Sequence, residues 1–398
     1  MSDLDQLRRQ LVDSQLMTDE QTEEQIRRWQ DETGAAEDAP GDELIGWLVE
    51  QQLLTEFQGD ALRAGHTGPF LLGPYRVFQR LAAGRLGNIY RAVHEELDQP
   101  VSLKVFPSSL KDDPEKVARM QRECRANVEL EHPNLMRTFQ IGVAGGIYYL
   151  AFEDLKGETL RDRLDREGPL SCEETCRLMR QAALGLAHVH EKGLVHRDVC
   201  PSNMWITEGG TLKIMELGAV RDALGQVFLP EDRQVTVTDA VIGTFDYMAP
   251  EQAQDPHAAD HRSDIYSLGC TTYECLTGKP PFVETNPIRM VMRHATETPA
   301  PLAEKIEDIP PQLVETVESM LAKSPSERFQ DATDVAWSLE PLMDAEAAEP
   351  EEEDEVREEF LQWLVEVEGP TVPKVRESRS PELAGFLDWL ADGRPTVE

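Results

Sequence analysis

The sequence predicts an α+β protein: a strand-rich stretch precedes a helix-rich one, with a small helical module in front and an acidic tail behind. Three observations carry this reading. Capped helical repeats fill the first 70 residues, short alternating runs cluster between Tyr75 and Phe106, and helical patterning dominates beyond Glu173. At 398 residues and 40% hydrophobic content, the chain can bury a large core and still carry appendages.

Residues 1–70 repeat themselves. Leu11-Val12-Asp13-Ser14-Gln15-Leu16-Met17-Thr18-Asp19-Glu20-Gln21 matches Leu48-Val49-Glu50-Gln51-Gln52-Leu53-Leu54-Thr55-Glu56-Phe57-Gln58. Thr18-x-x-Gln21 and Thr55-x-x-Gln58 have the form of capping boxes, in which Thr and Gln side chains satisfy orphan amides at a helix start. Each copy therefore reads as helix, tight turn, helix, with Gly34 to Gly41 as the link. Two readings stay open: the module docks a partner protein, or it packs on the next domain.

From Tyr75 to Met343 the pattern changes. Tyr75–Leu81, Asn88–His94 and Val101–Phe106 read as strands. A helix is expected over Asp113–Glu131, with Pro114 at its start, then over Thr175–Lys192 and Ser263–Gly278. A strand-rich lobe, a helix-rich lobe and a cleft between them follow from that order, over residues 73–342.

The tail, residues 344–398, holds 17 Asp or Glu against 5 Lys or Arg, a net of −12, and is expected to be largely disordered. Two islands break it: Phe360-Leu361-Gln362-Trp363-Leu364 and Phe386-Leu387-Asp388-Trp389-Leu390. Each gives one apolar helical face. Such a repeat serves either as a docking peptide for another protein or as cover for an apolar groove on this same chain.

The formal net charge of −36 works against phosphate backbones and anionic lipid, so nucleic acid and membrane surfaces are poor partners. A basic protein substrate or signalling partner suits it better, although an acidic surface also simply solvates. Six cysteines without a CxxC pair read as reduced thiols. No apolar run reaches the ~18–20 residues of a membrane span, and the N-terminus lacks signal-peptide character. The expected location is cytoplasmic.

Several ordered motifs remain. Leu81-Ala82-Ala83-Gly84-Arg85-Leu86-Gly87-Asn88-Ile89 is followed by Val101-Ser102-Leu103-Lys104 and then by Glu123 within the expected helix. Tyr149-Leu150-Ala151-Phe152-Glu153-Asp154-Leu155 comes next, then His196-Arg197-Asp198-Val199-Cys200-Pro201-Ser202-Asn203, Glu216-Leu217-Gly218 and Met248-Ala249-Pro250-Glu251. Asp264 and Arg328 close the series. Over residues 73–342 this set resembles the bacterial eukaryotic-like (Hanks-type) serine/threonine protein kinases, and it implies their bilobal fold.

The resemblance implies a role for each residue. The loop 81–89 would approach the phosphates of ATP, and Lys104 would grip the α- and β-phosphates and pair with Glu123. Glu153 and Leu155 belong to a hinge whose backbone would bind the adenine edge. Asp198 would take the proton of the substrate hydroxyl, while Asn203 and Glu216 would hold Mg2+. Arg197 beside Asp198 suggests control by an activation loop, with Thr236 and Thr238 as phosphoacceptors.

Four departures from the pattern converge on one site. Glu216 stands for a metal-binding Asp and adds a methylene, although magnesium tolerates little departure from octahedral geometry at ~2.0–2.1 Å. Cys200 replaces a Lys that steadies the γ-phosphate, and losing one such contact typically costs ~10²–10³ in rate. Trp205 replaces a small aliphatic under the adenine ring, either narrowing the base pocket or turning into the core. Ser102, for the usual Ala, sets a hydroxyl against the same ring. The expected activity is slow phosphoryl transfer from ATP to protein hydroxyls; the alternative is a pseudokinase scaffold.

Overall fold

The computed structural model describes residues 3–14, 16–36, 39–66, 70–82, 88–215, 245–254, 259–343 and 381–392. The chain divides into two compact units. The first comprises Met1–Arg125, Thr138–Asp154 and Asp354–Glu398, and the second Ala126–Arg137 and Leu155–Glu353.

The first unit is built on a six-stranded antiparallel sheet in the order β1-β2-β3-β4-β6-β5. The strands are β1 Leu71–Leu72, β2 Tyr75–Ala82, β3 Asn88–His94, β4 Pro100–Val105, β5 Thr138–Ala144 and β6 Ile147–Glu153. The β3 bounds match the sequence reading, and β4 starts one residue earlier than expected. Register decides which side chains share a face, because directly opposed residues point the same way. Tyr90, Leu103 and Ala151 stand in one row, and Asn88, Val105 and Tyr149 in the next on that side. Ile89, Lys104 and Leu150 form a row on the opposite face, as do Arg91, Ser102 and Phe152.

Four helices precede the sheet: α1 Asp3–Asp13, α2 Asp19–Thr33, α3 Gly41–Glu50 and α4 Glu56–Arg63. Both expected capping boxes form, Thr18 with Gln21 and Thr55 with Gln58. Leu4, Leu7, Leu11, Trp29, Leu44 and Leu48 make a core of their own. Helix α4 also faces the sheet: Phe57 and Ala61 join the cluster of Tyr90 and Leu103, and Thr55 Oγ1 donates to the Phe78 carbonyl at 2.5 Å. The module thus packs on the strand-rich domain.

Within the tail the second aromatic island is ordered, in residues 381–392, and the rest of 344–398 lies outside the described residues. Pro381–Asp392 is a helix whose Phe386, Leu387, Leu390 and Ala391 are buried in the same cluster as Tyr90. A five-residue apolar island is too short to hold a helix alone in water; burial against a preformed sheet face stabilises it. The covering is therefore by this chain. Between β5 and β6 the turn Gly145-Gly146 takes φ of +56° and +86°, the left-handed pair that a two-residue hairpin turn requires. A Cβ on Gly145 would run into Leu387 Cδ1.

The second unit is mainly helical. Cys172–Glu191 and His261–Thr277 run close to their expected bounds and share one core with Ala332–Leu339. Every residue from Ser263 to Leu276 is buried. A small antiparallel sheet, β7 Gly157–Thr159, β8 Met204–Thr207 and β9 Leu212–Ile214, lies beside this core. No helix among the described residues is long and apolar enough to cross a membrane.

Candidate active site

In the second unit one buried carboxylate organises the loop at 196–203. Asp264 accepts from the backbone amides of His196 at 2.8 Å and Arg197 at 2.7 Å, and His190 Nε2 lies 2.8 Å from its Oδ2. Burial pushes Asp264 up, but the His190 contact and charge and the Arg197 amide outweigh it and hold the carboxyl below its ordinary value. Arg197 takes φ of +67°, a left-handed conformation that an Arg keeps only when its surroundings fix it. The Gln252 amide supplies part of that, donating to the Arg197 carbonyl at 2.8 Å.

The buried His196 is fixed as one tautomer. Its Nδ1 accepts from the Asp198 amide at 3.3 Å, so its Nε2 carries the proton and donates to the Met215 carbonyl at 3.0 Å. Asn203 Nδ2 donates to both the Asp198 carbonyl and Asp198 Oδ2, each at 2.8 Å. Asn203 is itself anchored by the Met215 amide, which donates to its carbonyl at 2.8 Å. The loop therefore brings Asp198 and Asn203 together, as expected.

Cys200 and Trp205 are placed in the same unit. Cys200 is 9% exposed, in the helical core near Tyr247. Along β8 burial alternates, Met204 and Ile206 entering the core while Trp205 is half-buried on the other side. Of the two readings of Trp205, the one that turns its ring into that core does not hold: a period-2 strand cannot send adjacent residues to one face. Its indole Nε1 is buried without a hydrogen-bond acceptor among the described residues. Gly157 permits that packing with φ of +146°, since a Cβ there would meet Trp205 Nε1 at 2.9 Å.

In the first unit, Lys104 is 5% exposed on β4, with Nζ 6.0 Å from the centre of the Phe106 ring. Its row-mate Ile89 and the adjacent Ser102 share that sheet face. Ser102 differs from expectation. Its hydroxyl donates to Asp154 Oδ1 at 2.8 Å, and Arg91 Nε binds the same carboxylate at 2.9 and 3.0 Å. Sequence reasoning missed Asp154 and Arg91; the signal was a hydroxyl in an otherwise apolar strand, which needs a polar partner.

Asn88 is a correction to the expected phosphate loop. It lies on the face opposite Lys104, accepts from Arg80 at 2.7 Å, and donates to the carbonyls of Leu390 and Ala391. Leu81 is exposed near the end of β2, and Ala82 is the last residue of that strand. Glu153 is buried in the row of Val101, and Leu155 begins the second unit. Helix α5, Pro114–Val128, forms where Glu123 was expected, but the Glu123 side chain lies outside the description. Ala83, Gly84, Arg85, Leu86, Gly87, Glu216, Thr236 and Thr238 also lie outside the described residues.

Asn203 spends its amide nitrogen on Asp198, which leaves its oxygen without a donor among the described residues. A hard oxygen donor beside a carboxylate fits magnesium. Among the described residues, no group of three or more His, Cys, Asp or Glu is arranged to hold a metal.

Residues 75–337 match the family model described as protein kinase domain. The chain belongs to the protein kinase family. It is 34% identical over 277 residues to serine/threonine-protein kinase PknB of Mycobacterium leprae, covering 69% of this chain and 43% of that protein. With serine/threonine-protein kinase PknA of Mycobacterium tuberculosis the identity is 35% over 286 residues, covering 71% and 62%. The chain thus spans less than two thirds of the length of these relatives. The crystal structure of the Mycobacterium tuberculosis PknI kinase domain shares the fold, with a TM-score of 0.53 and 23% identity over 68% of this chain and 97% of that one.

Proposed function

We propose that this chain binds ATP and passes its γ-phosphate, slowly, to Ser or Thr hydroxyls of a protein substrate. The observation that carries the reading is the pair of 2.8 Å bonds by which Asn203 holds the carbonyl and carboxylate of Asp198. In this reading the substrate oxygen bonds to the γ-phosphorus as the bond to the β–γ bridging oxygen breaks. ADP leaves with that electron pair, and the hydroxyl proton passes to Asp198. Lys104 neutralises the α- and β-phosphates, and Asn203 Oδ1 with Glu216 would hold Mg2+. Bound there, the cation would offset the phosphate charge. The net charge of −36 favours a basic protein substrate or signalling partner through encounter electrostatics. Thr236 and Thr238 are the proposed phosphoacceptors of the activation segment, and the reduced thiols suit a cytoplasmic location.

A second reading, a pseudokinase acting through protein–protein contacts, is favoured by Cys200, whose buried thiol brings no cation to the γ-phosphate. One paired measurement separates the two: thermal stabilisation by ATP with and without magnesium, then phosphate incorporation by wild type and by Asp198→Asn. Nucleotide stabilisation with label lost in Asp198→Asn is expected. Equal label in both would end the enzyme reading, and absent stabilisation would favour the scaffold.

A further inference from the structure

The surface that seats the C-terminal helix has specific requirements. Phe386 meets the Phe70 ring edge-on at 5.0 Å, and Trp389 lies 5.2 Å from Phe57 and 5.1 Å from His66 between ring centres. Leu387 fits against the hairpin turn at Gly145. At the helix end, where the last carbonyls lack intrahelical partners, Asn88 donates to Leu390 O at 3.0 Å and Ala391 O at 3.1 Å, and Tyr90 Oη donates to Leu390 O at 2.8 Å. Asp392 then accepts from the Ser108 amide at 3.0 Å and from its hydroxyl at 2.6 Å. The surface thus reads Phe-Leu, then Trp-Leu, then a small residue and an acid.

The chain meets that specification twice. Phe360-Leu361-Gln362-Trp363-Leu364-Val365-Glu366 repeats Phe386-Leu387-Asp388-Trp389-Leu390-Ala391-Asp392 at the Phe, Leu, Trp and Leu positions and keeps the terminal acid. The carbonyls that Asn88 and Tyr90 receive are backbone, so they come with either copy. One substitution opposes the exchange: Val365 would put extra methyls where Ala391 is 3% exposed, which makes the first copy the weaker ligand. The geometry points to a peptide-recognition groove on the first unit with two ligands in the same chain, residues 386–392 in place and residues 360–366 as their exchange partner. This does not depend on the phosphoryl-transfer reading, because the groove lies on the sheet face opposite Lys104.

Thiol trapping in the full chain tests it. Ser108→Cys with Asp392→Cys should close a disulfide under mild oxidation. Ser108→Cys with Glu366→Cys should close slowly and should accelerate at least about fivefold when Phe386→Ala and Leu390→Ala weaken the seated copy, since a tethered segment is presented at ~mM effective concentration. Trp389→Ala, which removes only a half-buried ring, is the milder second variant should the first fail to melt cooperatively. Gly145→Ala should suppress both crosslinks, because Leu361 would meet the added methyl as Leu387 does. An intrachain product at position 366 that behaves this way supports the exchange. No acceleration in either variant, an equal rate with Glu353→Cys as the tail thiol, or covalent dimers alone, which would assign the groove to a second copy of the chain, would each overturn it.

Discussion

Arg328 meets Glu251 fork to fork, Nη1 donating to Oε1 at 2.7 Å and Nη2 to Oε2 at 2.8 Å, while the same guanidinium serves the carbonyls of Ala322, Lys323 and Arg262. It ties the segment ending in Pro250-Glu251 to the last helical region of the second unit. Arg328→Ala would strand the Glu251 carboxylate and three carbonyls together. A loss of about 3–5 kcal/mol is expected, read as a lower urea midpoint with an unchanged slope.

Replacing Asn88 separates two roles for the end of the 81–89 motif. Asn88→Ala removes the Asn88 bond to the Ala391 carbonyl and one of the two bonds to the Leu390 carbonyl, which keeps Tyr90, and should cost about 1–3 kcal/mol. Amide exchange should quicken in residues 386–392 before it does in β4 or β6. Nucleotide-induced thermal stabilisation should stay as in wild type, because Asn88 faces away from Lys104. A lost nucleotide shift with undisturbed tail exchange would return Asn88 to the phosphates.

Cys200 and Glu216 predict a gain. Restoring one electrostatic contact to a transferring phosphoryl group is worth ~10²–10³ in rate, and part of that should be lost because position 200 is tightly packed. Cys200→Lys with Glu216→Asp should therefore raise phosphate incorporation at least about tenfold. Unchanged turnover would move the limitation to Trp205.

Buried titratable groups pull stability in opposite directions below neutrality. Burial above all, aided by Lys323, holds His294 down to about 3, and burial with His188 holds His132 down to about 4. Unfolded imidazoles titrate near 6.5, so the stability these two lend is complete above that pH and drains as the pH falls below it. Asp246 has the opposite slope. Burial, then Glu274, raise it to about 7, so the folded state keeps a proton that the unfolded chain gives up near 3.8, and stability declines as pH rises from about 4 to 7. Asp246→Asn should raise the Tm by about 2–4 °C at pH 8 and leave it unchanged at pH 4. Equal Tm shifts at both pH values would show that ionisation plays no part.

Local chemistry was the most legible part of the sequence. The Thr18–Gln21 and Thr55–Gln58 boxes and the strand Asn88–His94 each depend on neighbours a few residues apart, and each formed as read; Asp198 and Asn203, five residues apart, come into contact. What escaped depends on distant partners. The tail helix is held by Tyr90 across 300 residues, and nothing near Phe386 announces that. Asn88 was assigned by motif spacing, whereas strand alternation sends it and Ile89 to opposite faces. Asp154 needed the β4–β6 register, which places it two residues beyond the partner of Ser102.

The bend at Gly145 has an outsized effect for so small a residue. Its left-handed φ favours glycine, and a single added carbon there would strain the hairpin and push the Leu387 methyl aside. The seat of the C-terminal helix is thus shaped by a position that contributes no side chain of its own.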